Sequence, residues 1–175
     1  MSDFAPHNLT ADSDPPYTVS ASSYYFTLPA YKAFDGSPAE SSNSWAGSNG
    51  GVDWIKLDVG AGNEKTLPRY RIQATNAASW LFPDRNPKDW TMQCSTDDSS
   101  WDTVDTITGQ TSWGDSEIRE FVCDSPTETS YRYFKLNITA NTGGDTYTQI
   151  GELYLFDDAT SFVSAWAARS NNLIP

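Results

Sequence analysis

Histidine is almost absent from this 175-residue chain: the only one, His7, lies in a proline-bearing N-terminal stretch. A Ser-His-Asp or Cys-His nucleophile would have to draw its base from that segment, so hydrolytic chemistry of this kind is disfavoured. Cysteine is nearly as scarce, with Cys94 and Cys123 alone. Neither belongs to a Cys-x-x-Cys or His-x-x-x-His spacing, which argues against zinc. Two free buried thiols are the reading for a cytosolic product; a bridge could form only if their strands lay side by side. Cations are few: 11 Lys and Arg face 23 Asp and Glu, for a net charge of -12. That balance excludes a nucleic-acid partner and disfavours an anionic membrane surface. No run of about 18 apolar residues is present to span a bilayer, and no basic start followed by an apolar stretch marks a signal peptide. Phosphate-cradling glycine motifs are missing as well.

What the chain has in abundance is aromatic residues, 14% of the total, with seven Trp and nine Tyr. Helix-favouring stretches are rare, so the propensities point to an all-β class. Alternation places the strands. Ile55, Leu57 and Val59 interleave with Lys56 and Asp58; Tyr70, Ile72 and Ala74 with Arg71 and Gln73; Trp90, Met92 and Cys94 with Thr91 and Gln93; Phe134, Leu136 and Ile138 with Lys135 and Asn137. Thr96-Asp97-Asp98-Ser99-Ser100 carries side chains that satisfy a turn, so the strand at Trp90 is expected to fold back as a hairpin that Trp101 pins. A last core strand is expected from Ile150 to Phe156, and six to eight strands fit a sandwich. Trp45, Trp54, Trp90 and Trp101 are expected in the core.

Three regions follow. Residues 1–16, ending Asp14-Pro15-Pro16, read as an extended arm outside the core. Residues 17–156 form the sandwich. In residues 157–175, Phe162, Val163 and Trp166 recur at helical spacing behind Thr160 or Ser161, giving a short amphipathic C-terminal helix. Leaving three such groups wet costs about 1.5 to 3 kcal/mol each, so the tail must dock, either on its own sandwich or on a neighbouring subunit.

Tyr31-Lys32-Ala33-Phe34-Asp35-Gly36, Trp54-Ile55-Lys56-Leu57-Asp58-Val59-Gly60, the stretch from Arg85 to Trp101, Tyr131-Arg132-Tyr133-Phe134-Lys135-Leu136 and the closing Gln149-Ile150-Gly151-Glu152-Leu153 occur in that order. Together they resemble the discoidin, or coagulation-factor type C, domain family, which includes galactose-binding-like carbohydrate-binding modules. The resemblance covers about Tyr17 to Phe156. It implies a jelly-roll β-sandwich, galactose-binding-domain-like, with loops at one end that grip a glycan. It also implies a structural calcium held by the Asp35 and Glu152 carboxylates and by backbone oxygens of Lys32 or Ala33 and of Ser37, oxygen donors of the kind calcium takes. Otherwise Asp35 only caps its turn. The family's further Thr or Ser ligand falls near Glu40, Ser41 or Ser42, where extra residues precede Trp45.

For the ligand loop, Trp80 or Phe82 is expected either to stack on a sugar face, with Arg85 donating to its hydroxyls, or to close the core's end. Asn141 and Tyr147 are further candidates on the last loop. The functional expectation is a non-catalytic carbohydrate-binding module, free-standing and acting in adhesion. Its sequence context is that of a bacteriophage virion component assembled in the host cytoplasm, contacting other subunits through its arm and tail, with avidity from repetition. The alternative is a decoration or cement protein of a virus particle.

Overall fold

Alternating apolar residues set the frame. In β4 (Asp53–Asp58), Ile55 and Leu57 are fully buried between half-exposed Trp54, Lys56 and Asp58. The same period buries Tyr70 and Ile72 of β5 (Arg69–Gln73), Trp90, Met92 and Cys94 of β6 (Pro87–Ser95), and Phe134, Leu136 and Ile138 of β9 (Tyr133–Asn141). Side chains of successive strand residues point to opposite faces, so each strand contributes one row to the core. The computed structural model describes residues 3–37, 42–75, 85–125, 128–144 and 146–157. The expected C-terminal helix lies outside them, as do Trp80 and Phe82.

The remaining strands are β1 (Ser13–Asp14), β2 (Tyr17–Ala21), β3 (Trp45–Gly47), β7 (Asp102–Ile107), β8 (Ile118–Val122), β10 (Thr148–Ile150) and β11 (Glu152–Phe156). All pairings are antiparallel. One sheet has the order β1-β2-β4-β9-β6-β7, a second β11-β5-β8, and β10 pairs with β3. At the centre of the large sheet, Leu136 of β9 sits opposite Ile55 on one side and Met92 on the other. Strands distant in sequence thus lie side by side, as a jelly-roll β-sandwich requires.

Three expectations change. The stretch Ile150 to Phe156 is not one strand: it breaks at Gly151 and feeds two sheets, β10 to β3 and β11 to β5. The N-terminal stretch is not an arm outside the core. Phe4, Ala5 and Leu9 are buried, the Phe4 ring lies 4.9 Å from that of Phe134, and the Phe4 N–H donates to the Leu155 carbonyl at 2.8 Å. Isolated apolar residues without a period gave no sign of this docking. Finally, of the four tryptophans expected in the core, Trp45 and Trp90 are fully buried, whereas Trp54 and Trp101 are half-buried. Trp101 carries the Lys135 ammonium 3.8 Å from its ring centroid, a cation over a π face rather than a core contact.

The hairpin expected after Trp90 is present as β6-β7, and its turn is organised by Asp97, which accepts the Ser99 and Ser100 N–H groups at 2.9 and 2.8 Å. Cys94 and Cys123 are free thiols, both buried, and burial pushes their pKa values up.

The two larger sheets are joined by a buried polar bridge. The Trp90 indole N–H donates to the Tyr70 hydroxyl at 2.8 Å, and that hydroxyl donates to the Asp105 carboxylate at 2.7 Å. Phe121 of β8 stacks on Tyr70 and meets Trp90 edge-on. Replacing Tyr70 by Phe keeps the ring, leaves a buried indole N–H unanswered and takes one donor away from the Asp105 carboxylate. We expect Tyr70→Phe to lower the unfolding free energy by about 1 to 3 kcal/mol in a denaturant titration.

At the C-terminal end of β4, Arg132 forks onto Asp58 at 2.7 and 2.8 Å, and the Gly60 N–H adds a bond of 2.8 Å. Partial burial works against the charged form of Asp58, but these donors and Lys56 hold its pKa below the ordinary 3.8. A depressed carboxylate pKa stabilises the fold above the unfolded value, and that stability is lost as pH falls through the folded one. The melting-temperature gap between the wild type and Asp58→Asn should therefore be widest above about pH 5 and close toward about pH 2.

Candidate functional site

Between β2 and the 3-10 helix Ala30–Ala33, the chain presents Tyr24, Tyr25 and Phe26 in succession, with Phe26 82% exposed. Three neighbouring aromatics so open to water are unusual and point to a contact surface. Phe26 has φ of 52°, the left-handed region that a bulky residue enters only when its surroundings enforce it. Those surroundings are specific. The Tyr25 N–H donates to the Ala46 carbonyl at 2.7 Å, the Leu28 N–H to the Tyr25 carbonyl at 3.0 Å, and the Ala46 N–H to the Leu28 carbonyl at 3.3 Å.

Beneath this loop lies Asp53, whose carboxylate is buried at 1% exposure. One oxygen accepts the Ser22 and Ser23 hydroxyls at 2.8 and 2.6 Å, and the other accepts the Asn49 N–H at 3.3 Å. Ser23 Oγ in turn accepts the Ser48 N–H at 2.7 Å, and the Trp45 indole donates to the Ser23 carbonyl at 3.2 Å. Gly47 must be glycine here, because a Cβ would stand 2.3 Å from the Asp53 carboxyl carbon. A single buried carboxyl group thereby binds the aromatic loop to β3 and to the β3-β4 connection.

The loop forms one wall of a concavity of about 190 Å³ lined by Tyr25, Phe26, Thr27, Leu28, Ser42, Arg85 and Gln149. Arg85 is buried to 7% exposure; its guanidinium carbon lies 4.4 Å from the centroid of the Tyr147 ring. Tyr147 meets the Tyr25 ring at 4.5 Å. The Arg85 carbonyl accepts the Gln149 N–H at 2.8 Å, and the Gln149 amide donates to Ser44 Oγ at 2.6 Å. Polar groups that are fixed before a ligand arrives cost less to order on binding.

Of the expected ligand residues, Arg85 lines this concavity and Tyr147 stands behind it. Asn141 is buried, and its side-chain amide donates to the Tyr147 carbonyl at 2.8 Å, so it supports the loop from inside. Trp80 and Phe82 lie outside the described residues. Tyr25, Phe26 and Gln149 were not foreseen. Their signal was the run of three aromatics bounded by the Ser22-Ser23 pair, too polar at its edge for a core strand.

The expected metal residues are partly gathered. The turn through Asp35, Gly36 and Ser37 does meet Glu152: the Gly36 N–H donates to Glu152 Oε1 at 2.9 Å. Asp35 Oδ1 accepts the Ser37 N–H at 2.8 Å, closing its own turn. Ala33 is buried in the 3-10 helix. Lys32 sends its ammonium to the Ser42 carbonyl at 2.6 Å. Burial, with Asp35 alongside, pushes the Glu152 pKa up, while His7 opposes the rise. Among the described residues, no group of three or more His, Cys, Asp or Glu side chains is arranged to hold a metal ion.

If Asp53 governs the loop, Asp53→Asn should release part of it without unfolding the sandwich. We expect the Tyr25 and Leu28 amides to exchange at least about tenfold faster with deuterium, while the central amides of β9 stay protected.

Comparison with known proteins adds the following. The model of the F5/8 type C domain family matches residues 16–153. No curated protein matches the sequence. Among solved structures, the chain is similar to the module CpGH89CBM32-5 from Clostridium perfringens, in complex with GalNAc-β-1,3-galactose. The two share 16% identity at a TM-score of 0.64, over 80% of this chain and 94% of that one. It is also similar to the family 32 carbohydrate-binding module of Streptococcus pneumoniae EndoD, with 14% identity, TM-score 0.64, and coverage of 90% and 100%. The lectin domain of Lectinolysin, complexed with Lewis B antigen, matches at 14% identity and TM-score 0.61 over 82% and 94%. At such identities the likeness speaks to the fold.

Proposed function

Since the chain belongs to the F5/8 type C, or discoidin, domain family, we propose that it is a carbohydrate-binding module that takes its glycan in the concavity between Tyr25-Phe26 and Arg85-Gln149. The observation that carries this reading is the pairing of an exposed aromatic edge with buried polar groups in one hollow of the rim. A sugar has C–H faces that pack on aromatic rings and hydroxyls that need directed partners. Structural relatives bind GalNAc-β-1,3-galactose and Lewis B antigen, so glycans are the class to test first.

The adhesion role on a virus particle is a finer proposal. It had two contact segments, and the first is engaged inside the sandwich, where Phe4 and Leu9 are buried. Attachment to a particle would then fall to the tail, residues 157–175, and co-sedimentation of the chain with and without it tests this.

A glycan array followed by calorimetry on the best ligand tests the main reading. Phe26→Ala removes an exposed ring and should leave the melting temperature unchanged while weakening binding about three- to tenfold. Arg85→Ala should weaken it roughly ten- to a hundredfold. A silent array, or full affinity in both variants, would overturn the assignment.

A further inference from the structure

The family resemblance implies a calcium ion between the Ala33–Ser37 turn and Glu152, and the residues at that place do not fit one. Calcium takes six to eight oxygens at about 2.3 to 2.6 Å. Here each oxygen of the buried Glu152 carboxylate is met by a nitrogen of this chain: Oε1 accepts from the Gly36 N–H, and Oε2 lies 3.1 Å from His7 Nδ1; the Asp35 side chain also hydrogen-bonds Glu152. The other ring nitrogen, Nε2, lies 2.8 Å from Asp3 Oδ2. With Asp3 and Glu152 both ionised, and so accepting only, an imidazole bonded to one at each nitrogen carries a proton on both and with it a positive charge. Cation and anion are thus brought together by side chains of the chain itself.

The surrounding contacts hold the ring in that place. Asp3 Oδ1 accepts the N–H groups of Ala5 and Leu155, each at 3.1 Å. The His7 ring lies 4.6 Å from that of Tyr154. Its carbonyl presses on the turn so closely that a Cβ on Gly36 would stand 2.2 Å away, and Gly36 has φ of 67°. The N-terminal segment, the turn and β11 therefore close on one another around a side chain.

We propose that His7 takes the role which the resemblance gives to calcium, neutralising Glu152 and tying the Asp35-Gly36 turn to β11, so that this chain folds independently of the metal.

Calcium chloride titrated calorimetrically into the full, chelator-dialysed chain should give no binding heat, and EGTA should leave the melting temperature unchanged. His7→Ala should melt about 3 to 10 °C lower. Calcium binding at or below millimolar concentration, or a chelator-induced drop in melting temperature, would overturn the proposal. So would a His7→Ala variant as stable as the wild type. The calcium measurements need only the unmodified chain, so they decide the matter even if the variant fails to fold.

Discussion

A carboxylate taken out of water must be met by donors, and this sandwich is held in register by three such debts. Asp53, Asp105 and Glu152 are each at most 2% exposed. Each is answered from elsewhere in the chain: Asp53 by the Ser22-Ser23 pair and Asn49, Asp105 by Tyr70, Glu152 by Gly36 and His7. Hydrophobic burial favours any compact arrangement of these strands, whereas a buried anion tolerates only the one that supplies its partners. The apolar rows supply the drive to collapse and the buried acids select among the collapsed forms.

That division accounts for what could be read in advance. Strands β4, β5, β6 and β9 announce themselves, because a row of buried residues every second position is a property of local sequence. Strand β8 did not. Its exposed positions Ile118 and Val122 are apolar and its half-buried ones include Arg119, so alternation there runs against polarity. The break at Gly151 was likewise hidden, since Thr148 to Phe156 is almost continuously buried and a run of this kind carries no mark of where it changes partner.

The site divides in the same way. Arg85 and Tyr147 could be singled out by residue type near loop positions, and they do come together. The Asp53 clamp could not, because it joins residues 22, 23, 49 and 53 through hydroxyls and a backbone N–H, chemistry that any serine-rich surface loop shares. His7 was set aside as a poorly tethered base, and its tether is Glu152, 145 residues away. Long-range pairing of lone polar residues leaves no periodic trace. The discoidin resemblance pairs the Asp35 turn with Glu152, and the Gly36 N–H bonds that carboxylate directly, but the resemblance had no means of anticipating His7 on its other oxygen.

Cys94 and Cys123 lie beneath the sheets as thiols, with burial pushing their pKa values well up. The thiolate is the reactive species, so alkylating reagents have almost nothing to attack in the native protein. Unfolding exposes both sulfurs at once. The chain therefore contains its own clock: the rate at which an added maleimide is consumed counts openings of the sandwich, with no engineered cysteine needed.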